Sequence, residues 1–264
     1  MSNPLELLAI AQRVANEASR VLTDALSGEG PVISTKSTPT DLVTDIDVAV
    51  ERLITARLLD ARPDDSIEGE EGANVAGTSE VIWSVDPIDG TVNFVHRLPG
   101  FNVSIGALID GEPVAGVVAS PLQNEVFTAA AGHGAFCNGH QVRCSSPPSL
   151  GRSVIATGFA YDPARRTRQA QVVADVISDF GDIRRFGAAA TDFCHVAAGR
   201  VDGYWEVGLN PWDLAAGSLI AREAGAKVAA LDGSSPSGLS VLAAPLEIWD
   251  ELATLLNSVG ATKV

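Results

Sequence analysis

The sequence predicts a layered α/β fold, and three patterns carry that expectation. Apolar residues recur at helical spacing near the N-terminus, short apolar strands crowd residues 81–130, and strand alternates with helix after about residue 150. In the first pattern Leu5, Leu8, Ala15, Ala18, Leu22 and Ala25 keep near-helical spacing over residues 4–25, and the stretch Gly28 to Pro31 ends it. A second helix starts at Thr44, whose hydroxyl can cap while Asp47 sits three residues on; it continues through Val50, Leu53, Ile54 and Leu58 until Pro63. Residues 81–85 (VIWSV) read as a buried strand, followed by strands over 101–108, 114–119 and 125–130. The turns at Asp110-Gly111 and Pro121 make these antiparallel neighbours. Beyond residue 150 the order is strand 153–156, helix 163–180, strand 183–186, helix 190–198, strand 203–207 and helix 211–224. Residues 145–149 (SSPPS) form the one linker-like cluster, equally readable as an ordinary loop.

Composition narrows the function. At 264 residues and 46% apolar, the chain can fill a sizeable core without a staple. Cys137, Cys144 and Cys194 form neither an even set nor a CxxC pair, which argues against a secreted disulfide framework or structural zinc and favours a reducing cytoplasm. The N-terminal segment lacks a basic region followed by an unbroken apolar stretch, and no run of about 18 apolar residues occurs, so neither export nor a membrane span is expected. Eighteen Lys plus Arg against 33 Asp plus Glu give a net charge of −15, which repels nucleic acid. The same field repels any phosphorylated substrate unless bound cations reverse the local sign. His133 and His140, flanking the cysteines in HGAFCNGHQVRC, lack a zinc-like pair at each end and read as loop residues. No GxSxG or Walker loop is present, and the tryptophans read as packing anchors.

The segment WSVDPIDGTVNF carries the most chemistry. Asp86 and Asp89 leave the end of a strand, Pro87 stiffens the turn, and Gly90 allows close backbone approach to a ligand. A helix beginning near Thr91 would offer unpaired amides to a phosphate beside the two carboxylates. Hard divalent cations take such oxygen ligands, although Asp-Pro and Asp-Gly are also ordinary turn chemistry. SIEGEEG places Glu70 and Glu71 where a short loop could deliver a carboxylate to the same strand ends, or where they form a solvated acidic turn. NPWDLAAGSLIAREAG puts Asp213 in the first turn of a helix, as a further ligand or as a counter-charge to the helix dipole.

Together DLVTDIDVAVE from residue 41, GEE at 69, DPIDGTVNF at 86 and WDLAAG at 212 resemble the inositol monophosphatase family over most of the chain. That resemblance implies an α/β/α/β/α sandwich of the inositol monophosphatase/fructose bisphosphatase type, with an antiparallel first sheet and a homodimeric assembly. It implies one domain over 1–264, divided into a metal-binding lobe (1–145) and a substrate-specificity lobe (150–264). It makes Glu70, Asp86 and the Ile88 carbonyl ligands of one Mg2+, Asp86, Asp89 and Asp213 ligands of a second, and Glu70 the holder of a third, weaker ion. Asp47 and Thr91 become the pair that orients and deprotonates the attacking water, and the amides of Gly90 and Thr91 hold phosphate oxygens. Asp47 could alternatively serve capping alone. The substrate's alcohol would meet Asp89, Asp213, Glu206 and the backbone of Ala189. The implied activity is Mg2+-dependent hydrolysis of inositol 1-phosphate or another small phosphorylated polyol. Fructose 1,6-bisphosphate, with Arg184 and Arg185 nearby, histidinol phosphate and nucleotide 3′-phosphates are alternatives. A regulatory partnership with the transcription machinery is the non-enzymatic one.

Overall fold

The structure is a computed structural model and describes residues 2–27 and 31–264. Helix α1 (Pro4–Ser27) buries Leu7, Ala11, Val14, Ala15, Ala18 and Leu22. That stripe keeps strict helical spacing and leaves Leu5 exposed, against expectation. The helix stop expected at Gly28 falls partly outside the described residues. A hairpin of β1 (Ile33–Thr35) and β2 (Leu42–Thr44), which the sequence pattern did not announce, leads into α2 (Asp45–Ala61). Thr44 caps α2 as expected, accepting the Asp47 amide while the Asp47 carboxylate takes the Thr44 N–H at 2.8 Å.

Next come β3 (Ser66–Gly69), β4 (Asn74–Val75), β5 (Val81–Asp89), the one-turn helix α3 (Thr91–Val95), β6 (Asn102–Ile109), β7 (Glu112–Ser120), β8 (Glu125–Ala130), β9 (Ala135–Cys137) and β10 (His140–Val142). They build an eight-stranded sheet in the order β10-β9-β8-β7-β6-β5-β3-β4. Every pair is antiparallel except β3 with β5, which run parallel and so bring their C-terminal ends side by side. That exception matters, because those two ends carry Glu70 and Asp86.

The remaining elements are β11 (Val154–Thr157), α4 (Pro163–Val176), β12 (Asp182–Arg184), α5 (Ala189–Ala197), β13 (Gly203–Glu206), α6 (Pro211–Glu223), β14 (Lys227–Ala229), β15 (Val241–Ala244) and α7 (Leu246–Ser258). Two boundaries differ from expectation. Helix α4 tightens into a 3-10 turn at Ile177, and β12 leaves its parallel partner β11 at Arg184, so Phe186 lies outside the strand. The second sheet has the order β12-β11-β13-β15-β14. Its strands alternate as a sheet buried on both faces must. Ile155, Trp205 and Leu242 pack with α4 and α7, while Ala156, Tyr204 and Ala243 pack with Phe193 of α5 and Ala221 of α6.

Helices α1 and α2 cover one face of the first sheet, α5 and α6 fill the space between the sheets, and α4 and α7 close the far side. The result is an α/β/α/β/α sandwich. Helix α6 lies unusually close to β6 and β7. A methyl group on Gly106 would sit 2.6 Å from the Ala215 Cβ, and one on Gly116 would sit 2.9 Å from the Ala216 Cα. The small residues of WDLAAG and these two glycines therefore set the spacing that delivers Asp213 to the ends of the first sheet.

Gly116→Val should push α6 outward, costing about 1–3 kcal/mol of stability in a denaturant titration, with a parallel fall in cation-dependent activity. Unchanged stability and activity would show that α6 does not depend on this contact.

Candidate active site

The centre of the site is the end of β5. Asp86 pairs with Ser104 and Asp89 with Asn102, so β5 carries one extra residue there and bulges away from β6. The bulge turns both aspartates toward one cleft. Asp86 Oδ1 accepts the Ile88 amide at 3.0 Å. Asp89 is held by three N–H groups: Ala189 (3.1 Å), Ala190 (2.8 Å) and the Asn102 side chain (2.8 Å). Gly90 then adopts φ of 85°, a left-handed conformation that glycine takes without strain, and α3 begins. The Thr91 hydroxyl lies 3.3 Å from Asp47 Oδ1 and 3.1 Å from the Ile88 carbonyl. Asp47 therefore does both things weighed for it: it caps α2 and it meets Thr91. Burial raises the Asp47 carboxyl, with the Thr44 hydrogen bonds opposing.

Glu70 follows β3 directly. Its turn is fastened from below by Glu51 of α2, whose carboxylate accepts the amides of Glu71 (2.7 Å) and Ala73 (2.9 Å). The rim is closed by Lys36 from the β1–β2 hairpin, whose ammonium lies 2.8 Å from Glu70 and 2.5 Å from Glu71. Burial pushes Glu71 up to about 7, against the pull of Lys36. On the opposite side Asp213 occupies the first turn of α6 and accepts the Asn210 amide at 2.6 Å.

These carboxylates hold one another at a cost. Asp86 is raised well above its ordinary range, first by burial and then by the charges of Glu70, Asp89 and Asp213. Asp89 is raised to about 6, again chiefly by burial, although its three hydrogen bonds oppose the shift. Asp213 shifts the same way, through burial and Asp89. Among the described residues no lysine or arginine forms an ion pair with Asp86, Asp89 or Asp213. A group of hard oxygen donors without a protein counter-charge suits a divalent cation. The fit is one of chemistry and charge, since among the described residues no three His, Cys, Asp or Glu side chains stand ready-arranged around one point. Glu70 leans to Lys36 and Asp213 to Asn210, so both would turn inward to share a cation.

One cleft of about 290 Å³ is lined by Glu70, Asp86, Ile88, Asp89, Gly90, Thr91, Ala189, Glu206 and Asp213 together. Asp47 stands behind Thr91 and reaches the cleft through it. The Ala189 N–H is directed to Asp89. Glu206 ends β13, accepts the Tyr204 hydroxyl at 2.7 Å, and is raised to about 7 by burial. Gly158 leaves it room, since a methyl group there would collide with the Glu206 carboxylate. Of the two arginines noted in the sequence, Arg185 lines the cleft, whereas Arg184 pairs with Asp182 on the surface. Sequence reasoning missed Lys36, Glu51, Asn102, Arg165 and Asp192. Lys36 alone left a trace, as the single cation between Arg20 and Arg52.

Sandwich and cleft together define a fold class shared with known proteins. The description "Inositol monophosphatase family" matches residues 3–260. The inositol-1-monophosphatase SuhB of Mycobacterium tuberculosis H37Rv is 42% identical over 275 aligned positions, covering 97% of this chain and 95% of that protein. The Nus factor SuhB of Pasteurella multocida is 42% identical over 248 positions, covering 92% of each. The crystal structure of the Bartonella henselae suhB protein superposes with a TM-score of 0.89 at 36% identity, covering 95% of this chain and 98% of that one. The chain belongs to the inositol monophosphatase family, a family of metal-dependent phosphatases. No helix among the described residues is long and apolar enough to cross a membrane.

Glu51→Ala should leave the Glu71 and Ala73 amides without their acceptor, at about 1–3 kcal/mol, and should weaken cation binding through the displaced Glu70 turn. A stability change without any change in cation affinity would restrict Glu51 to the fold.

Proposed function

We propose that the chain hydrolyses a small phosphate monoester in the presence of Mg2+, with inositol 1-phosphate as its preferred substrate. The observation that carries this reading is the set of Asp86, Asp89 and Asp213, paired with no lysine or arginine among the described residues, in one cleft with the Gly90-Thr91 turn and Glu206. Glu70, Asp86, Asp89, Asp213 and the Ile88 carbonyl would hold two to three ions. Magnesium bound there supplies positive charge to the phosphate and makes a water more acidic. The chain's own part is positional. Asp47, capped into α2, orients the Thr91 hydroxyl and receives the proton that the attacking water gives up. The amides of Gly90 and Thr91 face phosphate oxygens as charge shifts during transfer. Glu206, with one oxygen engaged by Tyr204, offers the other to a hydroxyl of the alcohol. Residues 1–145 thus serve metal and phosphate, and 150–264 serve the alcohol, apart from Asp213. The homodimer that the family implies belongs to this proposal and is read by light scattering.

Two further readings have a specific observation each. Arg165 and Arg185 line the same cleft, which favours a substrate with a second anionic group such as fructose 1,6-bisphosphate. The relative named a Nus factor favours a partnership with the transcription machinery.

Phosphate release should be measured from inositol 1-phosphate, fructose 1,6-bisphosphate, histidinol phosphate and a nucleotide 3′-phosphate, with and without Mg2+. We expect Mg2+-dependent turnover, highest on inositol 1-phosphate, and at least a hundredfold loss in Asp89→Asn, since even groups one step behind a ligand cost roughly 10- to 100-fold. A folded protein that left every ester intact would overturn the enzymatic reading and turn attention to the transcription partner.

A further inference from the structure

We infer that Asp192 is a specificity-determining residue of the same cleft, hydrogen-bonding a hydroxyl of the substrate's alcohol beside the one taken by Glu206. The inference rests on the phosphatase reading above and names a residue that reading does not use. Asp192 lies in the first turn of α5 and forms part of the cleft wall, yet only 1% of its surface is exposed. Its Oδ1 has no hydrogen-bond partner, and no lysine or arginine among the described residues pairs with it.

An unpartnered buried polar group is costly, about 1–3 kcal/mol, and a folded chain keeps one where something else repays it. The ordinary uses of an aspartate at a helix start are absent. It does not cap α5: the Ala189 and Ala190 amides go to Asp89, and Asp192's own amide goes to the Ala188 carbonyl. Asp192 does line the cleft. The groups that act on it from other elements are Glu206 of β13, Asp89 at the end of β5, and Arg185. Burial raises it well above the usual range, with the Glu206 charge next, and its carboxyl oxygens can accept from a hydroxyl.

A polyol carries hydroxyls on neighbouring carbons, each both donor and acceptor. Glu206 has one oxygen engaged by Tyr204, Asp192 has one oxygen without a partner, and both residues line the same cleft. Two carboxyl groups so placed take two hydroxyls of one alcohol and favour it over an ester that has none. Discrimination of this kind is large where a site group is left unpaired by the wrong substrate.

The test compares inositol 1-phosphate with p-nitrophenyl phosphate, an ester without alcohol hydroxyls, using the full chain with Mg2+. In Asp192→Leu the ratio of kcat/KM for the first to the second should fall about tenfold or more, mainly through KM, while the thermal midpoint stays level or rises. Asp192→Asn keeps a hydrogen-bonding group and should recover most of the ratio, and Asp192→Ala gives the same loss should the leucine variant misfold. An unchanged ratio in the folded leucine variant, or in the folded alanine variant in its place, assigns Asp192 to the fold and overturns the inference. Wild-type protein inert on both esters would instead bring down the phosphatase reading, and this assignment with it.

Discussion

Two buried aspartates and a half-buried third, Asp86, Asp89 and Asp213, stand within one another's electrostatic reach, and the site depends on how the chain keeps these like charges together. The holding groups are backbone amides and one asparagine, not cations. Asp89 takes Ala189, Ala190 and Asn102, Asp86 takes Ile88, and Asp213 takes Asn210. Amides fix direction without neutralising charge, so the arrangement stays receptive to a metal ion where an arginine would have ended the matter. Each donor comes from a different part of the fold. Asn102 begins β6, Ala189 and Ala190 begin α5, and Asn210 precedes α6, so the sandwich has to close before the cluster exists.

Much of this was legible from local chemistry. The Thr44–Asp47 cap is contained within four residues, and the DPIDGT turn contains its own stiffening proline and permissive glycine. The strands around 81–130 announced themselves because each is a compact apolar run beside a turn. What escaped was non-local or featureless in pattern. Glu51 sits on an ordinary helix and acquires its task from amides twenty residues away. Lys36 lies in a polar hairpin without apolar alternation. Strands β14 and β15 and helix α7 were not anticipated, and the parallel pairing of β3 with β5 has no local signature, because it is decided by the chain returning through β4, antiparallel to β3, before β5 begins. Asp192 carried no local signal in an alanine-rich helix, and three-dimensional placement alone shows that it lines the cleft.

The two ends of the cleft solve different problems. At the sheet end, bulge, glycine turn and the close approach of α6 at Gly106 and Gly116 crowd oxygens together, which suits ions and phosphate. At the other end Glu206, Arg165, Arg185 and Asp192 mix acceptors and donors, which suits an alcohol with several hydroxyls. A fold does not fix a substrate, and the second end is where members of one fold can diverge.

Calorimetry of Mg2+ binding to the metal-free protein at pH 6 and pH 8, in buffers of different ionisation enthalpy, tests the central claim directly. Asp89 is raised to about 6 and Asp86 and Asp213 higher than usual, so protonation stabilises the metal-free fold at low pH and that contribution is lost as pH rises through about 6. A cation binding there displaces those protons. Net proton release is expected on binding at pH 6, and less at pH 8. Binding without proton release at pH 6, or no binding at all, would contradict it.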